Sequence, residues 1–77
     1  MQTRYRIRRV TGDDPPQLAA WLTVPRAETI AWIIAPEAAA LFRDVEDAQL
    51  AADRLRERMP TDQKGRRHVY TVEPARV

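Results

Sequence analysis

His68 is the one imidazole in the 77-residue chain, and any general acid, general base or transition-metal chemistry has to start from it. It has no fixed companion. Cysteine, serine and asparagine are absent, which removes thiol and serine nucleophiles, disulfides, thiolate metal sites and N-glycosylation together. A metal at His68 could recruit only carboxylates, so a transition-metal site is rejected and His68 is expected at the surface or on a sheet edge. Asp13-Asp14 could hold a hard cation, but two aspartates before Pro15-Pro16 are more simply turn formers. Glu46-Asp47 reads as charge at a helix start. Two glycines, Gly12 and Gly65, cannot build a phosphate-cradling loop, which excludes nucleotide hydrolysis of the P-loop type. The expectation is a non-enzymatic protein with no cofactor and no metal.

Spacing does carry chemistry at Arg4, Arg6 and Arg8. Alternate residues of a strand point to one face, so these three guanidinium groups form a row with steps of roughly 6.6 Å. In the hairpin register favoured below, Trp21, Ile33, Val69 and Thr71 fall on the same face, mixing cations with apolar and aromatic groups. Arg and Trp are enriched at protein interface hot spots, and the same pair can meet phosphates and stack on bases. The bland alternative is a solvated Arg row whose stems cover Trp21 by cation–π contact, and which guards an open sheet against aggregation. Leu50, opposite the apolar side of the helix, is expected to be exposed, as isolated leucines often are.

These residues need elements to position them. Thr3 to Val10 alternates with Tyr5 and Ile7 on one side and the three arginines on the other, the pattern of a half-buried strand. Gly12 to Pro16 holds turn formers only. Residues 15 to 24 allow two readings. Asp14, Pro15 and Gln17 could open a short helix as N-cap, N1 and N3. Alternatively Leu18, Ala20, Leu22 and Val24 share one face of a strand, with a bend at Val24 to Glu28 and a second strand within Thr29 to Ala35 that carries Trp32. The hairpin is favoured. Ala40 to Phe42 is a short apolar piece. From Asp44 to Met59, the spacing of Val45, Ala48, Ala52, Leu55 and Met59 predicts a helix, with Asp44 as its cap and Pro60 as its stop. Thr61 to Arg66 reads as a loop, and His68 to Glu73 as a last strand with Tyr70 and Val72 inward, closed by Pro74.

The prediction is one small α+β domain over residues 1–77. It has a three- to four-stranded antiparallel sheet with one amphipathic helix, about 44–59, packed on one face, in the order β-β-β-α-β. A chain of this length buries only about 60% of its unfolded surface, which leaves no room for a deep pocket. The net charge of +2 conceals an uneven distribution: residues 1–10 carry four Arg and no acid, whereas residues 11–60 carry nine acids against five bases. Twelve of the thirteen cations are Arg and twelve residues are Ala, a bias that a GC-rich genome produces without selection on function. Met1-Gln2-Thr3-Arg4 leads into alternating arginines rather than an apolar run, so no secretory signal is expected and the protein is placed in the cytoplasm. The longest apolar run, Ile30 to Ala35, is six residues, far short of the roughly 20 that span a membrane.

Ala40-Leu41-Phe42, Asp44, Glu46-Asp47-Ala48, Ala51-Ala52 and Leu55, followed by Tyr70-Thr71-Val72-Glu73-Pro74, resemble a pattern found in small uncharacterised phage and prophage proteins. The resemblance covers about half the chain and implies a non-enzymatic accessory protein, with no known site. A more distant likeness is to the sheet-plus-helix DNA-binding domains of the integrase arm-binding type, which read DNA from the open sheet face. By that likeness Arg4, Arg6, Arg8, Trp21 and Arg26 would make the contacts, although the strand after the helix departs from the pattern. The expected function is a small binding module that takes a protein partner on Arg4, Arg6, Arg8, Trp21, Ile33 and Val69. Nucleic acid on the same face is the alternative. A homodimer is compatible with the sequence, but nothing in the sequence indicates one.

Overall fold

The computed structural model describes residues 2–23 and 31–76. Strand β1 (Thr3–Thr11) is followed by a 3-10 turn at Pro16–Leu18, strands β2 (Ala20–Leu22) and β3 (Trp32–Ile33), a second 3-10 turn at Pro36–Ala38, helix α1 (Val45–Arg58) and strand β4 (His68–Arg76). The four strands form one antiparallel sheet in the order β3-β2-β1-β4, an α+β layout in which α1 covers one face. The alternation of β1 decides which face that is. Ile7, fully buried, meets Leu22, Ala52, Leu55 and Tyr70, and Trp32, Phe42, Ala51 and Val72 pack around them. Each large side chain removed from water in this way contributes about 1.5–3 kcal/mol.

The connections follow from turn chemistry. Gly12 adopts φ 55°, which lets the chain leave β1, and the Asp14 amide closes the turn on the Thr11 carbonyl at 3.1 Å. Both readings of residues 15–24 are met in part: Pro16–Leu18 makes a single 3-10 turn, and the strand begins only at Ala20. Leu18 therefore sits outside the pleat it was expected to share with Ala20 and Leu22, and it is exposed. The expected bend at Val24 to Glu28, Thr29 and Ile30 from the second apolar run, and Arg26 lie outside the described residues. In the rest of that run only Trp32 and Ile33 form a strand, with the Ala31 carbonyl accepting the Thr23 amide at 3.0 Å, before Pro36 starts the second turn.

Phe42 takes the place that a longer β2 would fill. It exchanges both backbone hydrogen bonds with Tyr5, at 2.9 and 2.6 Å, and brings the chain to the start of α1. Asp44 stands at the N-cap position with extended backbone, but its side chain makes no capping hydrogen bond. Its carbonyl accepts the Ala48 amide at 3.2 Å, and Glu46 and Asp47 supply the negative charge that the helix N-terminus favours. Ala48, Ala52 and Leu55 of the expected stripe are buried and Leu50 is exposed, both as the periodicity predicts. The Tyr70 hydroxyl donates to the Met59 carbonyl at 2.5 Å, fixing the C-terminus of α1 to β4.

Pro74 does not close β4. The strand runs through it to Arg76, opposite Thr3. Tyr5, the residue across from Pro74, directs its own backbone groups to Phe42, so position 74 faces away from β1 and needs no amide hydrogen for the ladder. Among the described residues no helix is long and apolar enough to cross a membrane.

Candidate functional site

The sheet face opposite α1 carries the arginine row. Register places Thr71, Arg8, Trp21 and Ile33 side by side across all four strands, with Arg6 opposite Glu73, Arg4 opposite Ala75 and Val10 opposite Val69. Arg4, Arg6, Arg8, Trp21, Ile33 and Val69 thus share one face, as the alternation predicted. Val69 is 54% and Ile33 37% exposed, whereas Trp21 and the three arginines are half-buried.

Glu73 organises the centre of this face. Its Oε1 accepts from Arg6 Nε and from Trp21 Nε1, each at 2.6 Å, and the Arg6 guanidinium lies 5.9 Å from the Trp21 ring centroid. Arg6 also reaches the Pro36 carbonyl at 3.4 Å, so the second 3-10 turn borders the same face. Burial pushes the Glu73 carboxyl upward, but the hydrogen bonds from Trp21 and Arg6, with the charges of Arg6 and Arg8, outweigh it and hold the group below its ordinary range. Arg6 thus makes the cation–π contact with Trp21 that the sequence allows, and its charge also meets Glu73. Arg4 donates to Gln2 at 2.5 Å, and neither Arg4 nor Arg8 forms an ion pair among the described residues. The sequence places Glu73 in the last strand without assigning it to this face, although the alternation puts it there. The step from Val69 to Thr71, carried two residues further, reaches it.

A second aromatic and cationic cluster lies on the helix face. Arg9 stacks on Trp32 at 4.4 Å from the ring centroid, and Trp32 in turn lies 5.9 Å from the Tyr70 ring. Arg9 Nε and Trp32 Nε1 are buried and find no hydrogen-bond partner among the described residues. Burial holds the Arg9 guanidinium below its ordinary value, against the opposing influence of Tyr70 and Asp62. His68, expected at the surface or on a sheet edge, stands on the edge strand β4 but is buried there, its Nδ1 2.7 Å from the Thr11 hydroxyl. Burial lowers its proton affinity first, with Arg9 and Arg66 adding to the effect and Asp62 opposing it. The reason for its burial is register: His68 pairs with Thr11 on the inward side of β1.

The Thr61 to Arg66 loop is organised by Asp62, which accepts the amides of Lys64 and Arg66 at 2.9 and 2.8 Å and pairs with Arg66 Nε at 2.8 Å. Arg66 also donates to Asp14 at 2.8 Å, tying this loop to the turn after β1. Among the described residues no group of three His, Asp or Glu side chains is placed to hold a metal ion. Comparison of the chain with protein families, curated proteins and solved structures finds no match.

Proposed function

We propose that this protein is a non-catalytic binding module that takes an acid-bearing protein partner on its open sheet face. The observation that carries this is Glu73. A carboxylate at the middle of the face, held ionised by Arg6 and Trp21, would lie against the backbone of any nucleic acid laid across the arginines. It suits a protein surface with mixed charges. Around it, Arg4 and Arg8 offer cations to carboxylates, while Trp21, Ile33 and Val69 offer the apolar area that interface centres use. The likeness to phage and prophage accessory proteins supports the same role. Nucleic-acid binding is the second reading, and it rests on Arg4 and Arg8 having no carboxylate partner among the described residues.

Arg4→Ala/Arg8→Ala spares the internal Arg6–Glu73 pair and so tests the face without dismantling it. The wild type should retain a protein partner from its native cell, identified by mass spectrometry, and the double variant should lose it. Binding to that purified partner should weaken only mildly with salt. Equal retention by the variant would show the wrong face has been chosen. Nuclease-sensitive material in the purified protein, with a salt slope near one per phosphate contact, would transfer the face to nucleic acid.

A further inference from the structure

The two broad faces of the molecule carry opposite charges. An α-helix advances about 100° per residue, so Glu46, Leu50, Asp53 and Glu57 line up along the side of α1 turned away from the buried Ala48, Ala52 and Leu55. All four are exposed, Leu50 by 52%. Glu46 and Glu57 form no ion pair among the described residues, Asp53 is held by Arg56 at 2.6 Å, and Arg54 stands at the border of the stripe. On the other side of the sheet Arg4 and Arg8 likewise have no carboxylate, and Trp21 lies between Ile33 and Arg8. Each face lacks what the other carries.

We propose, on the reading of the open face as a protein-binding surface, that its partner is α1 of a second copy, with Leu50 set on Trp21 and with Glu46 and Glu57 meeting Arg4 and Arg8. Direction and spacing support this match. Phe42 bridges to Tyr5 just before α1 and His68 pairs with Thr11 after it, so α1 runs the same way as β1. A copy stacked by translation lays its α1 over the outside of β1 in that same direction, repeating the layers of helix and sheet. Glu46 and Glu57 are about 16 Å apart along the helix, and Arg4 and Arg8 about 13 Å apart along the strand, a difference that arginine side chains span. Leu50, about 6 Å beyond Glu46, then falls level with Arg6, over which the Trp21 ring lies. Asp53 and Glu73 bring no unopposed charge to the contact, because Arg56 and Arg6 already pair with them. The two faces point in opposite directions, so no twofold axis can satisfy both in a closed pair, and the copies stack head to tail. A single 14-residue helix covers less than the roughly 800 Å² per partner of a standard interface, which sets the dissociation constant near about 0.1 mM.

Sedimentation of the full chain should show species that grow with concentration instead of stopping at a dimer. Arg4→Ala/Arg8→Ala disables the sheet face and Leu50→Arg disables the helix stripe, each weakening self-association about tenfold. Mixed in equal amounts, the two variants should complement. The intact α1 of the first fits the intact sheet face of the second, giving a one-to-one pair of wild-type affinity and nothing larger. A wild type monomeric at every concentration up to about a millimolar would overturn the proposal, and so would assembly whose two disabled variants fail to pair. A cell-derived partner lost by Arg4→Ala/Arg8→Ala, beside a monomeric wild type, would end the stacking while leaving the open face a protein-binding surface.

Discussion

Replacing Glu73 by Gln tests whether one carboxylate organises the open face. Glutamine retains an acceptor for Trp21 Nε1 but loses the charge that Arg6 Nε meets at 2.6 Å. A hydrogen bond to a charged group contributes about 1.5–3 kcal/mol. Both partners retain about a quarter of their side-chain exposure, so water replaces part of what is lost. The expected cost at neutral pH is about 1–2 kcal/mol, equivalent to a fall in melting temperature of about 5–12 °C for a chain of this size. The pH dependence is the sharper measurement. The folded protein holds Glu73 below its ordinary value of 4.5, so the contribution is complete above that value and is lost as pH falls through the folded value. Thermal melts of wild type and Glu73→Gln from pH 7 to pH 3 should therefore converge at the acid end. A gap that stays constant across this range, or no gap at pH 7, would refute the assignment of Glu73 as an ionised acceptor for Arg6 and Trp21.

His68 behaves in the opposite chemical sense but in the same direction of pH. Its folded proton affinity lies below the ordinary value of 6.5, so the unfolded chain binds the extra proton first and stability falls as pH drops below about 6.5. His68→Gln should flatten this part of the stability curve, measured by denaturant unfolding between pH 7.5 and 5. Gly65→Ala should cost about 1 kcal/mol at Gly65's φ of 81°, although an added methyl meets nothing within 4 Å, and equal stability would show that the loop relaxes without strain.

Much of this architecture was legible because period and register report the same thing. Alternation in β1 separates Ile7 from Arg4, Arg6 and Arg8, and the spacing of Ala48, Ala52 and Leu55 fixes the side of α1 that meets the sheet. Errors arose where a local signal depends on which neighbour it faces. Proline ends a strand when its nitrogen points into the ladder, but at Pro74 it points out of it. Glu73 lies inside the predicted strand, and what the sequence does not show is that its carboxylate accepts from both Arg6 and Trp21 and so sets the electrostatics of the face. Asp44 lies at the right position for a cap, yet the sequence cannot say where its carboxylate turns. Arg9 occupies an inward position of β1 that no sequence pattern marks, and stacking on Trp32 lets its stem join the core.

The pairing of Thr3–Thr11 with His68–Arg76 joins the first and last strands in chain order, with every other described element between them. While the ribosome is still producing α1, β1 has β2 and Phe42 on one flank and nothing on the other. Its longest ladder, and the lid over Ile7 that Tyr70 provides, become available only when the final strand emerges. Closing so long a loop carries an entropic cost, so this ladder forms late in folding and cooperatively. Until β4 docks, the flank of β1 that it covers is an unpaired strand edge open to pairing with other chains.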